Sequence, residues 1–299
     1  MIRQNELIID DLTVIPEPPP GSAKGLIPRD YSIHPQGFYA AAPAFDLTLI
    51  PRTEWPERIR DMESQKSRLS DIRATGKYGS RIPSLDQNGK GYCWTHSVTM
   101  GVILDRAVRN LPYMALSAYA VACIIKNFRD EGGWGALGLD FIQQRGVPDE
   151  KYWPQRSMSR SNDNEATWKN AAMHKILGGW VDLTQAVYDR NLTFDQTMTL
   201  LLTRCPVVQD ANWWGHSFIL MDPVNGNAQK DELRAESGKL LTPDDFDARW
   251  VTEATDGFGT RGLNSWGDSY GVNGEFVLAG NRAVPDGAVG VRSTTPSTE

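Results

Sequence analysis

Apolar residues recur at helical spacing through the first half of the chain. A spacing of three or four residues indicates a helix with one buried face, and an apolar pattern on most sides indicates a buried helix. The pattern predicts helices over 54–73, from Cys93 to about Val108, over 117–128 and over 137–144. The last of these should end at Gly146 and Pro148, because both residues break helices.

The second half of the chain has a different pattern. A helix is predicted over 194–204, where Thr193 and Gln196 fit a capping box. Short apolar or alternating runs, bounded by Gly, Asn and Pro, then predict strands at 205–209, 217–221 and 275–279. Helices first and strands second are typical of an α+β protein with two lobes.

The N-terminal residues form a separate arm in this interpretation. Residues 1–53 are rich in proline, so we expect an extended segment that buries little by itself. This segment and the 54–73 helix make up an arm over 1–79, which either packs on or anchors to something larger or serves as an inhibitory propeptide. The remaining boundaries are a core over 80–285, with a helical lobe over 80–160 and a strand-rich lobe over 161–285, and a tail over 286–299.

Composition and charge exclude several classes of function. The net charge is −6 and no Lys/Arg cluster stands out, so nucleic-acid binding is disfavoured. No apolar run approaches 18 residues, and the N-terminus lacks a basic start followed by an apolar stretch, so we expect neither membrane insertion nor secretion. The expected location is a reducing intracellular compartment, or a particle such as a virion.

The chain has only three cysteines, and they are far apart. Cys93, Cys123 and Cys205 fit neither a disulfide framework nor a CxxC metal site, so no metal or other cofactor is expected. Cys93 differs from the other two because it follows a glycine-bearing loop and opens a buried helix. Unpaired N–H groups and the helix dipole stabilise a thiolate at that position, and the thiolate is the reactive form.

Three motifs in order along the chain resemble the papain family of cysteine peptidases. Gln87 stands six residues before the pair Cys93-Trp94, His216 opens an apolar run, and Asn264 begins the segment Asn-Ser-Trp-Gly. The resemblance implies a two-lobe α+β fold, with a helical left lobe, a β-rich right lobe and the active-site cleft between them.

The resemblance also implies a role for each of these residues. Cys93 would be the nucleophile and His216 the base that forms an ion pair with it. Asn264 would orient the His216 ring, and Trp266 would shield their hydrogen bond from water. The Gln87 amide would join the Cys93 N–H in an oxyanion hole.

A fourth, shorter match is Gly132-Gly133-Trp134. In the family such a glycine pair binds the substrate backbone as an extended strand, and the next residue helps to form the pocket for the side chain two positions before the cut. Trp134, with Gly135 and Ser217 near it, would favour an apolar or aromatic side chain there. An ordinary Gly-Gly turn explains these residues equally well.

The chain departs from the family in several places. Lys90 and Asp130 stand where the family has a disulfide, and we expect an ion pair between them. Tyr92 precedes the nucleophile and could narrow the cleft or contact the leaving side of the substrate. The long stretch 225–262 is interpreted as an insertion that edges the cleft or contacts a partner. His96 is a weak competitor of His216 as base, because no Asn partner accompanies it.

The sequence therefore predicts a cysteine peptidase that acts on a peptide or protein through a Cys93 acyl-enzyme. A hydrolase of related acyl bonds would use the same chemistry. Two alternatives remain: a structural or assembly protein, such as a virion component attached through residues 1–79, and a transglutaminase-like acyl transferase.

Overall fold

The computed structural model describes residues 1–3, 5–39, 45–75, 80–177, 179–235 and 237–292. In chain order the helices are α1 (Trp55–Ser64), α2 (Leu69–Thr75), α3 (Cys93–Val108), α4 (Ala118–Ile125), α5 (Gly135–Arg145), α6 (Glu165–Ala171), α7 (Arg190–Leu202) and α8 (Pro243–Trp250). The strands are β1 (Leu7–Ile9), β2 (Val181–Asp182), β3 (Val207–Ala211), β4 (His216–Asn225), β5 (Phe258–Leu263), β6 (Glu275–Leu278) and β7 (Gly287–Gly290). The α+β class predicted from the sequence is confirmed.

The strands of the described residues form one sheet in the order β1-β6-β5-β4-β3-β7-β2. β1 pairs with β6 in parallel, and every other neighbouring pair is antiparallel. Along β4, Phe218 and Leu220 enter one hydrophobic cluster while Ile219 and Met221 enter another. Because side chains alternate across a strand, β4 is buried on both faces of the sheet.

α3 packs against β4 on one of these faces. Val98 and Val102 belong to the same cluster as Ile219. The helix comes close to the sheet because Gly101 has no side chain: a Cβ there would lie 2.7 Å from Cγ2 of Val291. This packing brings the first turn of α3 toward the start of β4.

Three of the predicted helices are confirmed, and the prediction over 54–73 is wrong in one respect. That region holds two helices, α1 and α2, rather than one. The break falls at Lys66, whose φ of 50° lies in the left-handed region that a helix cannot include. Trp55, Ile59 and Met62 of α1 are nonetheless buried in the core, as their spacing predicted.

The predicted capping box of the 194–204 helix is wrong. α7 begins four residues earlier, and the side chain of Asp189 accepts the hydrogen bond from the Leu192 N–H. The Thr193 hydroxyl instead donates to the carbonyl oxygens of Thr184 and Asp189. Asp is an equally good N-cap, so the local pattern could not decide between the two starts.

The N-terminal arm buries more than the proline content indicated. Ile9 of β1 has no exposed surface and lies in the same cluster as Phe276 and Leu278. The Glu6 carboxylate accepts two hydrogen bonds from Arg261, at 2.6 and 2.9 Å, and both side chains are fully buried. Asp222 completes this buried cluster at 2.9 Å from Arg261. The expectation that residues 1–53 bury little is therefore wrong for β1.

The tail boundary at 285 is also wrong in part. β7 lies within the predicted tail 286–299, and it pairs with both β3 and β2 inside the sheet. Its glycines hid the strand from the sequence pattern, because Gly is depleted in strands. Residues 293–299 lie outside the described residues, as do residues 76–79 at the predicted end of the arm.

Part of the insertion 225–262 covers the N-terminal strand. Its helix α8 starts at a capping box between Thr242 and Asp245. Phe246 and Trp250 of this helix form a cluster against which Ile2 and Ile8 pack. The insertion therefore supports the β1 end of the sheet.

The first testable prediction concerns the Glu6–Arg261 pair. We expect Glu6→Gln to lower the free energy of unfolding by about 3 kcal/mol or more, because it leaves a buried guanidinium without its bidentate partner. Chemical denaturation measures this change. Glu17→Gln is the matched control, since the Glu17 side chain is 83% exposed and its change should stay within about 0.5 kcal/mol.

The same pair predicts a pH dependence of stability. Burial alone would raise the pKa of Glu6, but the hydrogen bond and charge of Arg261 outweigh it and hold the pKa below its ordinary value of 4.5. The stabilisation is therefore present above pH 4.5 and is lost as the pH falls through the lowered pKa. Equal acid sensitivity of the wild type and Glu6→Gln would contradict this assignment.

Candidate active site

Cys93 is the first residue of α3, and its side chain is fully buried. The backbone N–H groups of Ser217, Trp94 and Gly25 lie close enough to its sulfur to lower the pKa of the thiol. Ser217 directly follows His216 at the start of β4, so the packing of α3 on β4 brings these two predicted residues into one site. Gly25 comes from the N-terminal arm, which also reaches the thiol.

His216 forms a short hydrogen bond with Asn264. Nε2 of His216 lies 2.7 Å from Oδ1 of Asn264, and the Ser265 N–H donates to the same oxygen at 2.7 Å. An amide oxygen can only accept, so Nε2 carries the proton in this bond and Nδ1 is left without one. Nδ1 of His216 has no hydrogen-bond partner, and it remains free to take a proton.

Trp266 covers the His216–Asn264 bond. Its ring stacks on the His216 ring, with centroids 4.5 Å apart and an angle of 27° between the planes. Only 3% of Trp266 and 2% of Asn264 are exposed, and His216 is fully buried. The aromatic cover keeps water away from the hydrogen bond, which strengthens it.

The side-chain amide of Gln87 is held at both ends. Its Oε1 accepts a 2.6 Å hydrogen bond from the Ser265 hydroxyl, which fixes the amide orientation. Its Nε2 donates to the carbonyl oxygens of Lys90 and Ala23, at 2.7 and 2.9 Å. The Ala23 oxygen also accepts the Trp266 Nε1–H at 2.9 Å. A carbonyl group of the arm therefore occupies the place where the sequence predicted an oxyanion.

Gly132 and Gly133 border an extended segment of the same arm. The Gly133 N–H donates to the Gly25 carbonyl at 3.0 Å, and its carbonyl accepts from the Ile27 N–H at 2.9 Å. The Leu26 N–H donates to the Gly215 carbonyl on the opposite side. Any Cβ at Gly132 would overlap the Gly25 carbonyl, and one at Gly133 would lie 2.7 Å from the Trp94 ring. We call residues 23–27 the cleft segment.

Further contacts hold the arm beyond the cleft segment. Arg29 forms a bidentate ion pair with Asp182 of β2, at 3.0 and 2.9 Å, and both side chains are almost fully buried. The Trp134 Nε1–H donates to the Tyr39 hydroxyl at 3.1 Å. Trp134 thus packs against the arm in this structure.

With the cleft filled, burial favours the uncharged forms of Cys93 and His216. Burial raises the pKa of the Cys93 thiol to about 12, although the N–H of Ser217 lowers it. Burial also lowers the pKa of His216 to about 3, although the Asn264 bond raises it. Loss of water penalises the charged form of each group. Both shifts favour the thiol and the imidazole while the cleft segment is in place, and the thiol is the less nucleophilic form of cysteine.

The residues around the nucleophile test two further predictions. Lys90 and Asp130 form the expected ion pair, with Nζ and Oδ2 3.2 Å apart, and the second Asp130 oxygen accepts the Gly91 N–H at 2.8 Å. The idea that Tyr92 narrows the cleft is wrong. Tyr92 is fully buried, and its hydroxyl donates to the Arg129 carbonyl at 2.9 Å.

His96 pairs with a backbone carbonyl rather than with an Asn side chain. It is fully buried, its Nδ1 lies 2.7 Å from the Tyr92 carbonyl, and burial lowers its pKa to about 4. Helical spacing carries the ring into the left lobe, where it meets Tyr119 edge to face. His96 has no Asn partner, as the sequence indicated, and its weaker candidacy as a base stays a prediction.

Sequence reasoning missed two parts of the site. The cleft segment is, in the sequence interpretation, only a part of a proline-rich arm. A signal was present, because Gly25 followed by two apolar residues and a proline fits an extended strand that passes close to another backbone. Ser265 was read as part of a motif and was given no role of its own, yet its hydroxyl orients Gln87. Neither contact follows from local spacing, because each joins distant parts of the chain.

Within the described residues, no group of three or more His, Cys, Asp or Glu side chains is placed to hold a metal ion. In that same part of the chain, every helix is too short or too polar to cross a bilayer.

Comparison with solved structures relates the fold to the papain-like cysteine proteases. Xylellain, a cysteine protease from Xylella fastidiosa, is similar with a TM-score of 0.56 and 14% identity, over 94% of this chain and 99% of that one. Procathepsin B S9 from Trypanosoma congolense has a TM-score of 0.52 and 12% identity, over 92% and 87% of the two chains. The SERA5 proenzyme from Plasmodium falciparum has a TM-score of 0.51 and 12% identity, over 92% and 72%.

These similarities show the fold, which is the papain-like two-lobe fold. No protein-family model matches the sequence, and no curated protein matches it. The fold assignment therefore comes from the three-dimensional comparison, and it agrees with the fold that the sequence motifs predicted.

The closeness of Gly25 to the body of the protein predicts how the site can be opened. A Cβ at Gly25 would overlap the Gly91 carbonyl, so we expect Gly25→Val to displace the cleft segment. Water then reaches Cys93 and the thiol pKa falls toward its ordinary value. Alkylation of Cys93 at pH 7.5, followed by peptide mass spectrometry, should be at least about tenfold faster than in the wild type.

Glu57→Ala serves as the control in this experiment, because it changes an exposed side chain of α1 outside the cleft segment. Its alkylation rate should equal that of the wild type. Equal rates in all three proteins, with Gly25→Val still folded by circular dichroism, would show that the cleft segment does not protect the thiol.

Proposed function

We propose that this chain, which has the papain-like fold, is a cysteine-type peptidase that cleaves peptide bonds through a Cys93 acyl-enzyme. One observation carries the proposal: the buried 2.7 Å bond between His216 and Asn264 beneath Trp266, with Ser217, the next residue after His216, close to the Cys93 sulfur. Buried polar groups cost stability unless they are paired, and a purely structural protein needs no such set. The presence of this set of buried polar groups therefore favours a catalytic role.

The proposed reaction uses each group in turn. The Cys93 thiol passes its proton to Nδ1 of His216, and the sulfur attacks the carbonyl carbon of the substrate. The Gln87 amide and the Cys93 N–H stabilise the negative oxygen of the tetrahedral intermediate. His216 then protonates the leaving amine, and water, activated by the same ring, releases the acyl group as a carboxylic acid.

The cleft segment acts as an inhibitor in this proposal because its chain direction is opposite to that expected of a substrate. In a substrate, residues before the cut would lie along Gly132 and Gly133, as the family resemblance implies. In the arm, the Ala23 carbonyl accepts a hydrogen bond from the Gln87 amide. Leu26 and Ile27, which lie along Gly133, come after Ala23 in the chain, so the direction is the opposite of that in a substrate. The segment therefore fills the cleft without presenting a bond for cleavage.

Two of the structural neighbours support an inhibited form. Procathepsin B S9 and the SERA5 proenzyme are both described as precursors, and each matches more than nine-tenths of this chain. A proenzyme would explain why the Cys93 thiol is neutral and covered. By this interpretation the arm is a built-in inhibitor of the peptidase.

A structural role is the second candidate, and the filled cleft also favours it. A protein that had kept the fold for assembly would have no need for an open cleft, and its arm would serve for attachment. The two candidates differ in what happens when the cleft segment is displaced: a peptidase becomes active, and a structural protein does not.

The test of the proposed function uses the Gly25→Val protein and a library of fluorogenic peptides. We expect turnover that Cys93→Ala abolishes and that His216→Ala lowers by about 10²–10⁴-fold in kcat, because general acid–base catalysis is lost. Cys205→Ala is the matched control, since that thiol lies outside the site and its removal should leave turnover unchanged.

Three outcomes separate the candidates. Cleavage of peptides by water supports the peptidase, whereas transfer of the acyl group to an added amine without hydrolysis would indicate a transglutaminase-like enzyme. Labelling of Cys93 by a vinyl-sulfone peptide without any turnover, or no labelling of the opened protein, would favour the structural role.

A further inference from the structure

Asp210 is a buried carboxylate of β3 that the proposed reaction does not use. Its two oxygens share the N–H of Gly135, the first residue of α5, at distances of 3.0 and 3.3 Å. Burial raises the pKa of Asp210 to about 6, and the Gly135 N–H and the Ser217 hydroxyl oppose this rise. Only 8% of Asp210 is exposed. A buried carboxylate is costly without a cation, so this side chain is a candidate binding group.

Leu26 of the cleft segment lies between two stretches of backbone that lead to Asp210. The N–H and the carbonyl of Gly133 bond to the two neighbours of Leu26, and the Leu26 N–H donates to the Gly215 carbonyl. Two residues beyond Gly133 and two residues beyond Gly215 stand the two groups that interact with the Asp210 carboxylate. The space beside Leu26 therefore narrows toward this carboxylate.

The Leu26 side chain is directed into the body of the protein. Side chains alternate along an extended segment, so Leu26 points away from the side on which its neighbours lie. A Cβ at Gly25 would overlap the Gly91 carbonyl, and Ile27, which is 47% exposed, lies against Gly132. Leu26 is only 9% exposed, yet it belongs to none of the hydrophobic clusters of the described residues. This agrees with a pocket that has a polar end.

The arm itself brings a cation and a phenol to this region. The charge of Arg29 also opposes the rise in the pKa of Asp210, while its guanidinium is paired with Asp182. A Cβ added at Gly287 would lie 2.7 Å from the Tyr31 hydroxyl and 3.7 Å from the Cβ of Asp210. Burial, and then the charges of Asp210 and Asp182, raise the pKa of Tyr31. Negative charge therefore surrounds the part of the arm that follows the cleft segment.

We propose that Asp210 is the floor of a specificity pocket, which selects a lysine or arginine side chain from the substrate residue that pairs with Gly133. The inference rests on the proposed function, because it names the substrate class of the same cleft. The methylene stem of such a side chain can pack on apolar surface while its charged end reaches the carboxylate. This preference differs from the apolar one that Trp134 indicated, because Asp210 adds a charge at the end of the pocket.

A purely structural role for Asp210 predicts a different behaviour. In that case the carboxylate only holds the start of α5 to β3, and Asp210→Asn keeps this contact because an amide oxygen still accepts the Gly135 N–H. A side chain in the pocket would then gain nothing from a positive charge. Charged and uncharged side chains in the pocket therefore distinguish the two roles.

The first experiment uses position 26 of the intact chain as the probe. Leu26→Lys, Leu26→Met and Leu26→Glu put a positive, a neutral and a negative side chain into the pocket. The rate at which iodoacetamide alkylates Cys93 at pH 7.5 reports how often the cleft segment leaves. We expect Leu26→Lys to react at least about tenfold more slowly than Leu26→Met, because a hydrogen bond between charged groups stabilises the closed form by about tenfold or more. Leu26→Glu should react faster than both.

Asp210→Asn assigns this effect to one carboxylate. In this background Leu26→Lys should lose its advantage over Leu26→Met. Asp247→Asn is the matched control, since Asp247 is an exposed residue of α8, and there the tenfold difference should persist.

Two results of this experiment would overturn the proposal. One is faster alkylation of Leu26→Lys than of Leu26→Met in the protein that keeps Asp210, and the other is a difference that survives Asp210→Asn. The order of the three variants in the protein that keeps Asp210 tests the proposal even where Asp210→Asn does not fold.

The second experiment measures substrate selection by the Gly25→Val protein. Paired fluorogenic peptides carry either lysine or norleucine, which lacks the ammonium group, two residues before the cut. We expect kcat/KM to be at least about tenfold higher for the lysine peptide. Asp210→Asn should bring the ratio to about one and leave kcat/KM for the norleucine peptide unchanged, whereas Asp247→Asn should preserve the ratio. An equal loss for both peptides would indicate the structural role and overturn the proposal.

The two experiments separate this inference from the proposed function. Alkylation of Cys93 does not need catalysis, so the expected order of alkylation rates without any turnover supports the pocket and refutes only the peptidase. Turnover without a preference for lysine supports the peptidase and overturns the inference.

Discussion

The close packing of α3 on β4 is the contact on which the rest of the molecule depends. Gly101 allows it, because a side chain there would meet Val291 and Ile219. With the helix at this distance from the sheet, Cys93 at its first turn lies within reach of the Ser217 N–H at the start of the strand. A larger residue at 101 would push the helix away, and both ends of the site would separate. Hydrophobic packing far from the chemistry thus decides where the chemistry can occur.

Two parts of the arm are held to the body of the protein by different kinds of interaction. Its cleft segment is held mainly by backbone hydrogen bonds, which are worth little net free energy each because water can replace them. Its β1 end is held by a buried side chain and by an ion cluster that water cannot replace at low cost. The body of the protein therefore holds the two parts of the arm with different strength.

Burial also favours the uncharged forms of Cys93 and His216 while the cleft is covered. The cleft segment excludes water from Cys93 and His216, and each group then favours its uncharged form. The hydrogen bond from His216 to Asn264 does not need a charge on the ring, so the geometry of the site is kept in the covered state. The polar groups are therefore already assembled, in their uncharged forms, while the cleft is covered.

The sequence predicted those features that local chemistry controls. Helical spacing found α3 and placed Cys93 at its first turn, and the motifs around His216 and Asn264 marked two residues that the structure joins by a hydrogen bond. The ion pair of Lys90 with Asp130 followed from the same motif comparison. Predictions failed where a single residue or a distant contact decides: Lys66 splits one helix into two, and Tyr92 turns into the left-lobe core.

By itself the sequence determined which residue types stand at which spacing, because periodicity and motifs are properties of neighbours along the chain. Only the tertiary structure decided which distant groups meet. The chain order contains nothing that pairs Glu6 with Arg261, or Ala23 with Gln87, since each contact joins residues far apart along the chain. Neither β1 nor β7 reads as a strand on its own, because each is short and is stabilised only by the neighbours that the fold provides.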